Sequence, residues 1–451
     1  MKLGRRFEDI NLKGDVFGGV TTAIISLPLA LAFGVASGAG AEAGLWGAIM
    51  VGLFAALFGG SSTLISEPTG PMTVIMTAVL TSMMAKYPET GLAMTFTVVM
   101  MAGVFQILLG TLKLGKYVTL MPYSVVSGFM SGIGVILIIL QLAPLLGQAA
   151  PTGGVVGTLT ALPELLSNVD FAELFLGALT LAILFLLPKK YRQHVPPQLV
   201  ALVAVTLLSV LFFDDGTIRR IGEIPAGLPS LVIPHFNAEM FTEMIIDALV
   251  LGTLGCIDTL LTAVIGDSLT RKEHDSDKEL RGQGLANLVA GLFGALPGAG
   301  ATMGTVTNIQ VGARSPLSGV VRALVLALVV LVASGLTEPI PMAVLAGIAV
   351  YVGFNILDWS FIQRAHKVSI PGMAIMYGVM LLTVFVDLIV AVGLGVFISN
   401  IIIIERLSRE QARQVKAISD ADDDDVPLTD SERGLLEQAQ GKYCFSTCLV
   451  L

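Results

Sequence analysis

Asp258 sits mid-way along an apolar stretch, in Gly255-Cys256-Ile257-Asp258-Thr259-Leu260-Leu261-Thr262. A carboxylate at the centre of a membrane helix costs about 2.5–3.5 kcal/mol, so such a group faces a cavity, an ion or a partner. Thr262 follows one turn later, which puts its hydroxyl on the same helix face. A carboxylate, a hydroxyl and nearby carbonyls form an oxygen-rich set suited to a hard cation such as sodium. The competing reading is a protonated Asp258, or one hydrogen-bonded to a neighbouring helix for packing. A second stretch, Leu296-Pro297-Gly298-Ala299-Gly300-Ala301-Thr302-Met303-Gly304-Thr305, opens with broken backbone, because Pro297 and two glycines interrupt regular structure. From Ala301 the pattern turns helical, and it ends near Gly312. About 12 residues at about 1.5 Å each cover about 18 Å, against about 30 Å of hydrocarbon. Interrupted backbone at that depth must line a cavity or pack inside protein. The free N–H groups and positive dipole end of the helix start are a seat for an anion.

The elements that hold these residues follow from composition. The 451 residues are 54% hydrophobic and 13% charged, with a mean hydropathy of +0.84; a soluble domain carries about 25% charged residues. The sequence is that of an all-α polytopic membrane protein. Apolar segments are expected at about 16–38, 43–60, 69–85, 91–112, 117–147, 171–187, 197–213, 243–266, 282–296, 301–312, 316–335, 341–356, 370–386 and 388–404. With the N-terminus inside, about twenty Lys and Arg fall on the inner side and three (Lys86, Arg219, Arg220) on the outer. That asymmetry predicts fourteen segments with both termini cytoplasmic. An even split gives seven plus seven, and odd-numbered repeats insert in opposite senses. The third segment of each half opens with broken backbone, Ser66-Glu67-Pro68-Thr69-Gly70-Pro71 in the first and Pro297–Thr305 in the second. Two half-helices, segments 3 and 10, are thus expected to face each other near mid-bilayer.

Other features carry less. Arg322 is one turn into its span and is expected to snorkel toward water. Glu67 reads equally as a helix-start carboxylate or a gating residue, Asp247 and Asp267 as segment-end groups that reach water, and Asp387 as a cap between the last two segments. Cys256 reads as an inert buried residue, and the three cysteines make no disulfide framework. The four histidines lack metal-ligand spacing. No Walker loop is present, so any pumping is secondary. Glycine pairs Gly34/Gly38, Gly40/Gly44 and Gly128/Gly132 have the spacing of close helix packing. Beyond Ile404 a charged exit and an acidic run (Asp422–Asp425) read as a tail or linker over 406–451, following a transmembrane domain over 1–405.

Several stretches resemble the SulP anion transporters. Gly14-Asp15-Val16-Phe17-Gly18-Gly19-Val20-Thr21 and Leu27-Pro28-Leu29-Ala30-Leu31-Ala32-Phe33-Gly34 look like that family's first helix. Gly44-Leu45-Trp46-Gly47, Gly59-Gly60-Ser61-Ser62 and Gly70-Pro71 are similar to its second and third segments, and Leu292–Asn308 with Ser315-Pro316-Leu317-Ser318-Gly319 to its tenth and eleventh. Within the family, the chain looks most like the cyanobacterial sodium-dependent bicarbonate transporters of the BicA type. The resemblance implies a uracil-permease-like 7+7 inverted repeat, with a core domain (about 15–112 and 243–335) and a gate domain (about 117–213 and 341–404). It places substrate near Thr69, Gly70, Asp258, Thr262, Gly300, Ala301 and Thr302, and sodium at Asp258, Thr262, Thr69, Gly300 and Thr302. Two departures stand out. Gly304 aligns where many members carry a basic residue, and the STAS domain that usually follows is absent or truncated, which puts dimerisation through it in doubt.

The expectation is therefore a plasma-membrane secondary transporter, not an enzyme, that takes up bicarbonate with co-transported sodium by alternating access. It needs no resident cofactor; its partners are a small inorganic anion, sodium and the bilayer, with a homodimer left open and no nucleic acid. The alternative on the same fold is a proton-coupled sulfate or dicarboxylate permease with Asp258 as proton carrier.

Overall fold

The computed structural model describes residues 10–118, 122–188, 196–214, 216–222, 227–364 and 370–386. Beyond these it describes 391, 394–395, 397–399, 401, 404–405, 416–418 and 445–447. Among the described residues thirteen principal helices occur where apolar segments were expected. They are α1 (Leu12–Ala36), α2 (Ala41–Phe58), α3 (Gly70–Lys86), α4 (Gly91–Thr111), α5 (Tyr123–Leu140), α6 (Phe171–Leu186) and α7 (Pro197–Phe212) in the first half. The second half supplies α8 (Phe241–Thr270), α9 (Ser276–Leu292), α10 (Thr302–Gln310), α11 (Leu317–Ala333), α12 (Met342–Ile356) and α13 (Ile370–Phe385). The fourteenth expected segment, and Asp387 before it, lie largely outside the described residues.

Boundaries differ from the hydropathy reading where polar residues cap helices. The ninth helix starts at Ser276 rather than near 282, because the Asp275 side chain accepts from Lys278 N–H at 3.0 Å. The fifth expected stretch is divided: α5 ends at Leu140, and a short helix, Leu142–Leu145, follows the turn at Gln141.

Two pairs of short strands complete the chain. β1 (Ser66–Glu67) pairs antiparallel with β2 (Ala299–Gly300), and β3 (Lys416–Ile418) with β4 (Phe445–Thr447). The chain divides into two compact units, Met1–Val392 and Gly393–Leu451, and β3–β4 belongs to the second.

Inside the first unit the helices pack in two groups. α4 lies on α8 and α9, α2 on α1, α9 and α11, and α1 on α11; separately, α5 lies on α12 and α13, and α6 on α7 and α12. The expected glycine packing is present at Gly128 and Gly132, whereas Gly38 and Gly40 fall in the turn between α1 and α2 at positive φ. A Cβ at Gly128 would stand 2.3 Å from Met376 O, and one at Gly132 2.7 Å from Thr383 Cβ, so both positions bring α5 against α13. Buried carboxylates fasten the ends of the first group. Asp15 on α1 accepts from Arg314 N–H at 2.7 Å, Ser315 N–H at 3.0 Å and the Ser315 hydroxyl at 2.7 Å, ahead of α11. Glu279 on α9 accepts from the N–H groups of Gly60 and Ser61, both at 2.6 Å, just past α2.

Candidate functional site

The two broken stretches meet as the β1–β2 pair, with Ser66 opposite Gly300 and Glu67 opposite Ala299. Each strand leads directly into a helix: β1 through Pro68 and Thr69 into α3, β2 through Ala301 into α10. The antiparallel pairing makes the two strand-to-helix passages run in opposite senses, as an inverted repeat requires. α10 has nine residues, about 14 Å, and cannot cross a bilayer.

α8 passes beside this junction and presents its polar face to it. Asp258 is 8% exposed. Its Oδ2 accepts from the Thr69 hydroxyl at 2.9 Å, while Oδ1 has no hydrogen-bond partner among the described residues. One turn on, the Thr262 hydroxyl donates to Gly300 O at 2.9 Å and lies 3.0 Å from Thr302 Oγ1. Thr259, which nothing in the sequence singled out, accepts from Gly300 N–H at 3.1 Å. Position 300 is tightly packed, since a Cβ there would stand 3.1 Å from both Thr259 Cα and Thr262 Cβ. The carboxylate, two threonine hydroxyls and a carbonyl form an oxygen-only set, which suits a hard monovalent or divalent cation over a soft one.

The backbone donors left free at the start of α10 begin one residue later than the sequence suggested. Ala301 N–H is taken by Ile65 O at 2.8 Å, and Ile65 N–H in turn donates to Thr305 Oγ1 at 3.0 Å. The donors that α10 leaves without an intrahelical acceptor are the N–H groups of Thr302, Met303 and Gly304, because Thr305 N–H is the first to close a turn, onto Ala301 O. Thr302 and Met303 are exposed although they sit deep in the helical unit. Gly70 turns from the junction: a Cβ there would meet Ile356 Cδ1 of α12 at 2.4 Å. Its contribution to a site is therefore restricted to backbone. Gly304 instead faces β1, with a Cβ there 3.1 Å from Ile65 Cγ2 and 3.4 Å from Glu67 Oε1. In the first turn of α10 the exposed residues are Thr302 and Met303, the latter 44% exposed.

Arg322 does not snorkel. It is fully buried and ties four elements together: Nε donates to Ser26 Oγ at 2.9 Å, Nη1 to Ser66 O at 3.1 Å and Ala48 O at 3.3 Å, and Nη2 to Glu67 Oε2 at 2.5 Å. Three neutral acceptors and one carboxylate satisfy the guanidinium where it stands, so it has no need to reach water. Glu67 is thereby a strand residue locked in an ion pair, neither a cap nor a free gate.

An amide cluster, also unforeseen, holds the approach to β2. Asn287 accepts from Gly298 N–H at 2.8 Å through Oδ1; its Nδ2 donates to Gly298 O at 3.0 Å and to Gln106 Oε1 at 2.9 Å. Gln283 Nε2 donates to Gly298 O at 2.8 Å. The available signal was the i, i+4 spacing of two amides in an otherwise apolar segment. Cys256 is free and buried, and no group of three or more potential metal-ligating His, Cys, Asp and Glu residues occurs among the described residues.

Residues 12–379 match the Sulfate permease family. The chain is 61% identical over 446 residues to the bicarbonate transporter BicA of Picosynechococcus sp., covering 98% of this chain and 79% of that one. It is 33% identical over 416 residues to the putative sulfate transporter YvdB of Bacillus subtilis, covering 90% and 77%. Among solved structures, the transmembrane domain of a cyanobacterium bicarbonate transporter BicA superposes with a TM-score of 0.81 at 63% identity, over 86% of this chain and 98% of that one. SLC26A9 superposes with a TM-score of 0.81 at 20% identity over 92% and 68%, a likeness of fold alone. These relatives are transporters rather than enzymes, and this chain shares their multi-pass helical membrane fold. The chain belongs to the Sulfate permease family of anion transporters.

Proposed function

We propose that the chain takes up bicarbonate together with sodium across the plasma membrane by alternating access. The observation that carries this reading is the charge at the junction. Asp258 keeps one carboxylate oxygen uncommitted beside the Thr262–Gly300–Thr302 oxygens, while Arg322, which reaches β1, is bound to Glu67. An anion seated on the α10 N–H groups faces a carboxylate in a medium of low dielectric, and the repulsion requires a mobile cation. Sodium is that cation in this proposal. Asp258, Thr262, Thr302 and Gly300 O hold it, with Thr69 positioning the carboxylate; Thr302, Met303 and Gly304 N–H hold the anion.

The BicA relatives, named as bicarbonate transporters, support bicarbonate as the cargo. The two helix groups supply a division of labour, with α1–α4 and α8–α11 as a core that carries the site and α5–α7, α12 and α13 as a gate. Both termini lie in the cytoplasm in this reading, as the loop charges favour. A 1:1 cycle with a monovalent anion is electroneutral, so the sodium concentration gradient drives it. The test is uptake of radiolabelled bicarbonate into proteoliposomes with and without a sodium gradient. Asp258→Ala should abolish the sodium-dependent part while the protein still folds and inserts; normal uptake by that variant sinks the assignment, and uptake driven by a pH gradient without sodium favours proton coupling instead.

A further inference from the structure

Gln198, at the start of α7, is 2% exposed. Among the described residues its amide has one hydrogen-bond partner, the thioether of Met303, with Nε2 and Sδ 3.8 Å apart. Sulfur is a weak acceptor, and an amide has two N–H donors and a carbonyl to satisfy. A buried polar group left this poorly paired calls for an explanation, and completion by a ligand is one. Its location supplies the ligand. Met303 is the second residue of α10, and its own N–H is one of the three donors without an intrahelical acceptor. The amide therefore stands beside the first turn of α10, approached from α7, a helix outside the group that carries Asp258 and Thr262. Met303 is unbranched with three rotatable side-chain bonds, so its thioether can leave the amide without any backbone change.

We infer that Gln198 is a specificity-determining residue of the anion seat. With Met303 turned aside, Nε2 donates to an anion oxygen and Oε1 accepts from the anion's O–H. Bicarbonate offers both, being an oxyanion that keeps one hydroxyl near neutral pH. Chloride, nitrate and sulfate carry no O–H there and leave the amide carbonyl unpaired. This assignment rests on the bicarbonate and sodium reading above.

The test uses the full chain in proteoliposomes under a sodium gradient, with the unmodified protein measured first. Absence of sodium-dependent bicarbonate uptake there sinks both readings. Given uptake, Gln198→Leu should raise the half-saturating bicarbonate concentration about tenfold, the size of one lost hydrogen bond to a charged ligand. Nitrate should compete better in that variant, and half-saturation by sodium at saturating bicarbonate should stay put, which a merely distorted site would not allow. Gln198→Glu, acceptor-only and negative, should be worse than leucine, and Gln198→Asn should recover part of the loss. An unchanged half-saturation and unchanged nitrate competition in Q198L overturn the assignment. Should Q198L fail to fold, Met303→Ala carries the test: it frees the amide, so half-saturation should hold or fall, and a tenfold rise overturns the inference.

Discussion

Replacing Arg322 by methionine removes four hydrogen bonds at once and leaves the Glu67 carboxylate, 4% exposed, without its cation. Breaking a buried pair from one side costs about 3–5 kcal/mol, because a charge is left buried and uncompensated. Removing both partners costs far less, since a buried pair is often replaceable by apolar groups of similar size. The structure therefore fixes an order: Arg322→Met is the most damaging, and Arg322→Met with Glu67→Gln recovers most of the loss. Glu67→Gln alone is milder than Arg322→Met, as the guanidinium keeps Ser26, Ala48 O and Ser66 O. Because Glu67 stands on β1, two residues before Thr69, the damage reaches the Asp258 hydrogen bond. The assay is the apparent melting midpoint of detergent-purified variants, read alongside sodium-dependent uptake. Strictly additive effects, with the double variant worse than R322M, would refute the reasoning.

Other expectations follow the same geometry. Thr262→Val removes the hydroxyl shared by Gly300 O and Thr302, and should raise the sodium concentration for half-maximal uptake several-fold with little change in melting midpoint. Asn287→Leu leaves Gly298 N–H and O short of partners and should lower the melting midpoint as well as uptake; a variant as stable as the parent dismisses the clamp. Asp358, between α12 and the short helix Trp359–Arg364, is raised by burial, but hydrogen bonds from Tyr123, Ser127, Ser360 and Phe361 N–H outweigh that and hold its carboxyl below the usual range. Its contribution is thus complete above the unfolded-state value, about 3.9, and is lost as pH falls through the lower folded value. Asp358→Asn should accordingly cost stability at neutral pH, with a gap that narrows under strong acid in a thermal series. Gly128→Val should lower the melting midpoint by driving a side chain into Met376 O.

Hydropathy located the thirteen described helices because lipid enforces runs of apolar residues, and residues 258 and 300 stood out because lipid also makes a carboxylate or a broken backbone conspicuous. What stayed hidden was pairing over long sequence distances. Nothing local in Arg322 says that its partner is Glu67, 255 residues earlier, and a charge near a segment end reads equally well as a snorkeler. Likewise Ala301 N–H looked available because its acceptor, Ile65 O, is 236 positions away and is brought there by strand pairing. Helix starts were misjudged at Ser276, where an acidic first turn depresses hydropathy while capping the helix.

The β1–β2 pair also bears on how the chain is made. Residues 63–69 reach the membrane when their partner strand has yet to be synthesised, and hydrocarbon offers their peptide groups no water in exchange. The first half alone therefore carries a stretch of unmet backbone that later residues relieve, through β2, Thr305, Asn308 and Arg322. Ribosomal order thus makes the β1–β2 junction a late product of biogenesis, and a chain halted before β2 is one that the cell's quality control has physical grounds to recognise.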